Sequence, residues 1–217
     1  MLNLVRALRE TGAYSERVLE AMQAADRGHF SADLPAAYSV SSPARIHPSV
    51  NMTAADVHAL ALSKIDSLLP GDAARNCLDV GCGTGYVSTV LAKLYPQSRV
   101  LGIDVIAELP AQAAHICQRH YRDMSSRLDF QHCNVFDLDQ LSAYKGVQFD
   151  VIHGGATAHR SLEVLLARLA PGGIMVFPQT TGQALFTEEL SWWHKRSDGT
   201  IDGPHMLAPV MYTPLVD

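Results

Sequence analysis

The sequence predicts an α/β fold: a doubly wound, mostly parallel sheet of about seven strands, with an antiparallel hairpin at its C-terminal edge and an N-terminal helical cover. Three observations predict it. After Gly71, short apolar runs alternate with helical stretches, and alternating strand and helix implies right-handed crossovers with helices on both faces of a parallel sheet. An apolar strand leads directly into the glycine-rich turn Gly81-Cys-Gly-Thr-Gly85 and then into a helix, the Rossmann-like form of such a sheet. Towards the end, Gln183–His194 and Ala208–Pro214 read as a strand hairpin.

In chain order, the first 70 residues read as helices around one long loop. Ser15 is placed to cap a helix over Ser15–Ala25, in which Val18, Leu19 and Met22 recur at helical spacing. Asp26–Met52, with Pro35, Pro43 and Pro48 among small residues, reads as loop, and a loop of that length inside a compact domain is functional or disordered. Thr53-Ala-Ala-Asp56 resembles a capping box opening a helix to about Leu68, which Pro70-Gly71 ends. Strands follow at Cys77–Val80, Arg99–Ile103, Leu128–His132, Phe149–His153 and Gly173–Phe177, with helices at Tyr86–Tyr95, Ala107–Tyr121 and Leu162–Leu169. No internal repeat interrupts this order.

Composition narrows the classes of function. With 47% hydrophobic and 18% charged residues, the 217-residue chain is too apolar for a disordered protein and too polar for a membrane protein. Its longest apolar runs, such as Ile174–Phe177, fall far short of the roughly 20 residues a membrane span needs. Arg6, Arg9 and Glu10 stand where a signal peptide requires an apolar stretch. A net charge of −5 gives no basic footprint for nucleic acid. Cys77, Cys82, Cys117 and Cys133 form no C-x-x-C pair and are expected to be reduced. Among ten histidines there is no H-x-x-x-H or H-E-x-x-H, and His115 and His120 fall on different faces of a helix. The expectation is a cytoplasmic monomer without metal, membrane or nucleic-acid partner.

The sharpest signal is Leu78-Asp-Val-Gly-Cys-Gly-Thr-Gly-Tyr86. Glycines here permit a tight turn and let a ligand approach bare backbone at a helix N-terminus. The pattern departs from the dinucleotide fingerprint, since Tyr86 takes the place of its last glycine. Asp79 precedes the first glycine by two, and Asp104 closes the next strand, where a carboxylate can accept from both hydroxyls of a ribose. The plainer alternative is a glycine turn with a surface Asp. The form D-x-G-x-G-x-G with such an acid resembles the class I S-adenosylmethionine-dependent methyltransferases. In that family an Asp contacting the adenine amine often stands where this chain has Asn134, whose side-chain oxygen can accept the same bond. The alternative is a solvated loop Asn. Val105 and Val135, next to these two residues, are assigned to the same cofactor site.

Along nearly its whole length the chain is similar to the protein-L-isoaspartate (D-aspartate) O-methyltransferases. The likeness is carried by Arg17-Val-Leu-Glu-Ala-Met22, Asp26-Arg-Gly-His-Phe30, Gly102-Ile-Asp-Val-Ile-Ala-Glu-Leu109, Asp150-Val-Ile-His-Gly-Gly-Ala156, Leu169-Ala-Pro-Gly-Gly173, Phe177-Pro178 and Pro209-Val-Met-Tyr-Thr-Pro-Leu215, in that order. The resemblance implies transfer of a methyl group from S-adenosyl-L-methionine, leaving S-adenosyl-L-homocysteine, to the α-carboxylate of L-isoaspartyl residues in damaged peptides and proteins. The methyl ester then closes spontaneously to a succinimide, which begins repair. Such a carboxylate is already ionised at neutral pH, so alignment in a water-poor pocket matters more than a base.

The family's T-I-S-A-P-like loop aligns with Asn51-Met-Thr53-Ala-Ala55. The resemblance implies that the Thr53 hydroxyl meets the reacting carboxylate, that the backbone of Val50, Asn51, Met52 and Thr53 flanks the methyl donor, and that His58 matches a family histidine. Thr53 as a helix cap and His58 as a structural histidine remain alternatives. Ser49, Asn51, Ala55 and Val216 depart from the family's usual Gln, Thr, Pro and Thr, and the chain ends at Asp217 without the tail many relatives carry. The departures cluster on the substrate side. They keep open a methyltransferase for another carboxylate or small molecule, and a non-catalytic module recognising isoaspartyl sites. One domain, 1–217, is expected, with 1–70 as substrate-side cover and 71–217 as cofactor-binding core.

Overall fold

The computed structural model describes residues 1–158, 162–180 and 188–215. Its N-terminal part comprises α1 (Leu2–Glu10), α2 (Glu16–Ala24), α3 (Leu34–Ala37), the strands β1 (Ala44–His47) and β2 (Val50–Met52), and α4 (Ala55–Leu68). There follow β3 (Asn76–Val80), α5 (Tyr86–Leu94), β4 (Arg99–Asp104), α6 (Glu108–His120), β5 (Leu128–His132), β6 (Phe149–Gly154), α7 (Leu162–Arg168), β7 (Leu169–Thr180), β8 (Glu188–Lys195) and β9 (Ile201–Val210). Seven strands form the central sheet in the order β5-β4-β3-β6-β7-β8-β9. Those from β5 to β7 are parallel, and β8 and β9 add antiparallel at one edge. The expected sheet is the observed one.

Alternation along the strands explains why both faces are covered. Cys77, Val100, Val151 and Ile174 belong to one hydrophobic cluster, and their successors Leu78, Leu101, Ile152 and Met175 to the other. A period of two sends neighbours to opposite faces, and a parallel sheet is stable when both faces are buried. The first cluster also takes in Leu4, Leu8, Leu19, Met22 and Leu62, so the N-terminal helices share a core with one face of the sheet. Arg17 adds a polar tie: it pairs with Asp66 and donates to the Gly71 and Leu94 carbonyls at 3.0 and 3.1 Å.

Four expectations are corrected in detail. The stretch Asp26–Met52 is not plain loop: it holds a 3-10 turn at Arg27–His29, α3 and the β1–β2 hairpin. Asp26 and Asp33 cap the first two, accepting from the Gly28 and Ala36 amides, and Pro35 sits in the first turn of α3, where it helps initiate a helix. Secondly, α4 starts at Ala55 with Ala54 as its uncapped N-cap, so Thr53 is no cap. Ser15 does precede α2, but its hydroxyl donates to Asp66 instead of capping. Thirdly, β7 begins at Leu169, earlier than Gly173, and α7 ends before it. Finally, the return strand runs over Ile201–Val210, not Ala208–Pro214. Gly199, at φ +87, and the Asp198 carboxylate, which binds the Thr200 amide and hydroxyl, close the turn early. The start of the first hairpin strand at Gln183, and the positions Val216 and Asp217, lie outside the described residues.

Candidate active site

The glycine turn leaves β3 with Gly81, Gly83 and Gly85 all at positive φ, at 72, 55 and 91°. Gly85 is bound to be glycine twice over, by this conformation and because a Cβ would lie 2.9 Å from both Ala113 and the Phe130 ring. Backbone amides fasten the turn to β4: those of Gly81 and Cys82 donate to the Ile103 carbonyl at 2.8 and 3.0 Å. Asp104 completes the brace. Its two carboxylate oxygens accept from the Gly83 and Ile106 amides, each at 3.0 Å. Burial pushes the Asp104 carboxyl up, and these amides oppose the shift.

A cavity of about 650 Å³ opens at the C-terminal ends of β3, β4 and β6, at the point where the strand order reverses on either side of β3. That is where doubly wound sheets bind ligands, and the volume suits a small-molecule cofactor. Val80, Gly81, Ile103–Ile106, Cys133, Val135, Gly155 and Ala156 form one side. Pro43, Ser49, Val50, Asn51, Thr53 and Val57 line it from the segment that runs through the β1–β2 hairpin into α4, and Pro209–Leu215 line it from the end of β9 onward. Of the residues selected from the sequence, Val50, Asn51, Thr53, Gly81, Asp104, Val105 and Val135 therefore meet on one cavity. Met52, His58 and Asp79 face a much smaller cavity of about 30 Å³ instead, whose wall Thr53 shares. Gly83, Gly85 and Asn134 line neither. Gly83 and Gly85 build the turn, and Asn134 accepts the Phe136 amide at 3.2 Å, capping the next 3-10 turn.

Beneath the Thr53 loop lies a buried polar cluster. The Asp79 carboxylate accepts from the Ser88 hydroxyl at 2.6 Å and pairs with His153 Nδ1 at 2.8 Å. His58 Nδ1 lies 3.0 Å from Arg27 Nη1. A guanidinium has donors only, so this nitrogen accepts and the His58 proton sits on Nε2. Burial, then the nearby Arg27 and His153, hold the His58 imidazole far below its ordinary pKa of 6.5, and hence neutral. Arg27 also donates to the Ala37 and Thr53 carbonyls, at 2.9 and 2.8 Å, and lies 4.7 Å above the Tyr86 ring. The Tyr212 hydroxyl is buried near Thr53, and burial pushes its phenol up to about 12.

The Pro209–Leu215 segment is clamped. The Thr157 amide donates to Thr213, the Leu215 amide donates back to Thr157, and the Glu188 carboxylate accepts from both the Thr157 hydroxyl and the Tyr212 amide. Arg27, Tyr212 and this clamp were not selected from the sequence as site residues. Asp26–Phe30 and Pro209–Leu215 stood out there only as matched segments, because an arginine in a turn reads as solvated. All four cysteines are buried free thiols.

Comparison with known proteins agrees with this architecture. A family model, protein-L-isoaspartate (D-aspartate) O-methyltransferase, matches residues 2–217. Protein-L-isoaspartate O-methyltransferase 2 of Arabidopsis thaliana is 34% identical over 219 residues, covering 98% of this chain and 66% of its own length. Protein-L-isoaspartate O-methyltransferase 1 of the same plant is 33% identical over 189 residues, covering 86% and 78%. A solved structure from Plasmodium falciparum, described as a protein-L-isoaspartate O-methyltransferase in complex with S-adenosyl-L-homocysteine, matches with a TM-score of 0.84 at 24% identity, over 99% of this chain and 97% of that one. The match over residues 2–217 settles the relationship: this chain belongs to the protein-L-isoaspartate (D-aspartate) O-methyltransferase family.

Proposed function

We propose that the chain transfers a methyl group from S-adenosyl-L-methionine to the α-carboxylate of L-isoaspartyl residues in damaged proteins, initiating repair through a succinimide. One observation carries this reading: the braced turn of Gly81 and Asp104 and the hydroxyl-bearing Thr53 line the same cavity. The donor set fits the cofactor. Bare backbone at Gly81, a carboxylate at the end of β4 and apolar walls from Val105 and Val135 suit a nucleoside with a ribose to bind. In this reading Val50, Asn51, Met52 and Thr53 flank the donor, while Gly83, Gly85, Asp79, His58 and Asn134 hold the frame. When bound, S-adenosylmethionine supplies an electrophilic methyl group on a sulfonium and leaves as S-adenosylhomocysteine.

The residues present have alignment to provide, not proton transfer. The acceptor carboxylate is ionised at neutral pH, and Thr53 can donate one hydrogen bond that fixes its direction. His58, the nearest histidine on α4, is buried and neutral with one nitrogen engaged by Arg27, so it suits a structural part better than that of a base. The names of the Arabidopsis relatives and the ligand of the Plasmodium structure support the same assignment. The chain is taken to act as one cytoplasmic domain and as a monomer, with 1–70 shaping the acceptor side and 71–217 holding the donor; a monomer mass in sedimentation equilibrium is the check. Activity is tested with labelled S-adenosylmethionine and paired aspartyl and isoaspartyl peptides. Base-labile label on the isoaspartyl peptide alone is the expected result, and label on neither or on both overturns the reading.

A further inference from the structure

Arg27 is wholly buried, with no measurable exposure. Among the described residues no carboxylate pairs with it: its partners are the Ala37 and Thr53 carbonyls, His58 Nδ1 and the Tyr86 ring face. All are neutral. Asp79, buried in the same region, is engaged by Ser88 and His153. Asp56 acts on Arg27 only from a distance, its oxygens taken by the Ser41 hydroxyl and the Val57 amide. A buried guanidinium without a counter-charge is costly, and hydrogen bonds to neutral acceptors offset only part of that cost. Here the charge is spent next to the cavity, on the carbonyl of Thr53, which lines it.

We propose that Arg27 is a positioning residue for the acceptor: its uncompensated charge selects an anionic carboxylate at Thr53, and its grip on the Thr53 carbonyl holds that hydroxyl in place. The proposal rests on the reading above, that the acceptor is a carboxylate. It also answers a difficulty in that reading. A chain of net charge −5 repels an anionic peptide at long range, whereas one buried cation in a low dielectric acts strongly over a few ångströms. A neutral His58 is part of the arrangement, since a charged imidazole there would repel Arg27.

The test uses the full chain saturated with S-adenosylhomocysteine and two fluorescent peptides, identical except that the isoaspartyl α-carboxylate is free in one and an α-carboxamide in the other. The wild type is expected to favour the carboxylate by at least about 30-fold in Kd. Arg27→Gln should reduce that preference to a few-fold and raise KM for the peptide about tenfold or more. Arg27→Lys keeps the charge but not the planar fork, so it should keep the preference while kcat falls. Equal binding of the two peptides by the wild type, or an Arg27→Gln preference equal to wild type, overturns the proposal. Should Arg27→Gln not fold, the lysine variant decides: a retained preference supports the role of charge and a lost one overturns it. Carboxylate preference without methyl transfer would sink the proposed activity and leave the proposal standing. Transfer with a preference independent of Arg27 would do the reverse.

Discussion

The Asp104 carboxylate accepts the Gly83 amide at 3.0 Å, tying the end of β4 to the middle of the glycine turn. One acid thus shapes the loop and, in the proposed reading, also meets the ribose. Asp104→Asn replaces one acceptor oxygen with a donor that must face the Gly83 or Ile106 amide. A buried unsatisfied donor costs about 1–3 kcal/mol. Both thermal stability and S-adenosylhomocysteine affinity should fall together, the affinity by about tenfold or more, as read by calorimetry. Full affinity in a destabilised variant would confine Asp104 to shaping the loop.

Gly85 gives a second prediction, free of any assumption about ligands. Gly85→Ala meets an unfavourable φ of +91° and a Cβ contact of 2.9 Å with Ala113 and Phe130. Strain of that kind and overpacking each cost on the order of 1–3 kcal/mol. Urea unfolding should show a loss of about 3 kcal/mol; a loss below about 1 kcal/mol would mean that α6 and β5 move aside at little cost.

How far the sequence could be read follows from the length and burial of each element. The strands β3, β4 and β6 were legible because each sends apolar residues into both buried layers, and Asp104 because a carboxylate ending a strand beside three glycines has few other uses. The stretch Asp26–Met52 was not. Elements of four residues such as α3 and β1 span about one helical turn or two strand periods, too little for periodicity to register. β9 was placed too late because most of its residues are exposed, so its beginning, Ile201-Asp-Gly-Pro-His205, has no apolar alternation to show. Arg27 was missed for a related reason: charged residues are seldom fully buried, and nothing local in Asp26-Arg-Gly-His-Phe30 reveals that Thr53 and His58 close over it.

Thr53 was read from the sequence with two candidate roles, and the fold separates them. Because Ala54 is the N-cap of α4 and no side chain caps it, Thr53→Ala removes no cap and should change stability by less than about 0.5 kcal/mol. Turnover of an isoaspartyl peptide should fall by about 100-fold if the hydroxyl aligns the acceptor, and Thr53→Ser should restore most of it. A variant that turns over normally would remove Thr53 from the chemistry.

His58 makes the pH dependence of stability predictable in sign. Its folded pKa lies well below 6.5 through burial and the proximity of Arg27, so between that folded value and 6.5 the unfolded chain binds a proton that the native state refuses. Stability attributable to His58 is therefore intact above about pH 6.5 and declines as the pH falls below it, by up to about 1.4 kcal/mol per pH unit. His58→Gln keeps an acceptor for Arg27 and cannot titrate. Urea midpoints measured from pH 7.5 down to 5.5 should fall less steeply in the variant, by close to one proton in the linkage slope. Parallel slopes would mean that the native state accommodates a protonated His58 beside Arg27, which the 3.0 Å approach of Nη1 to Nδ1 argues against.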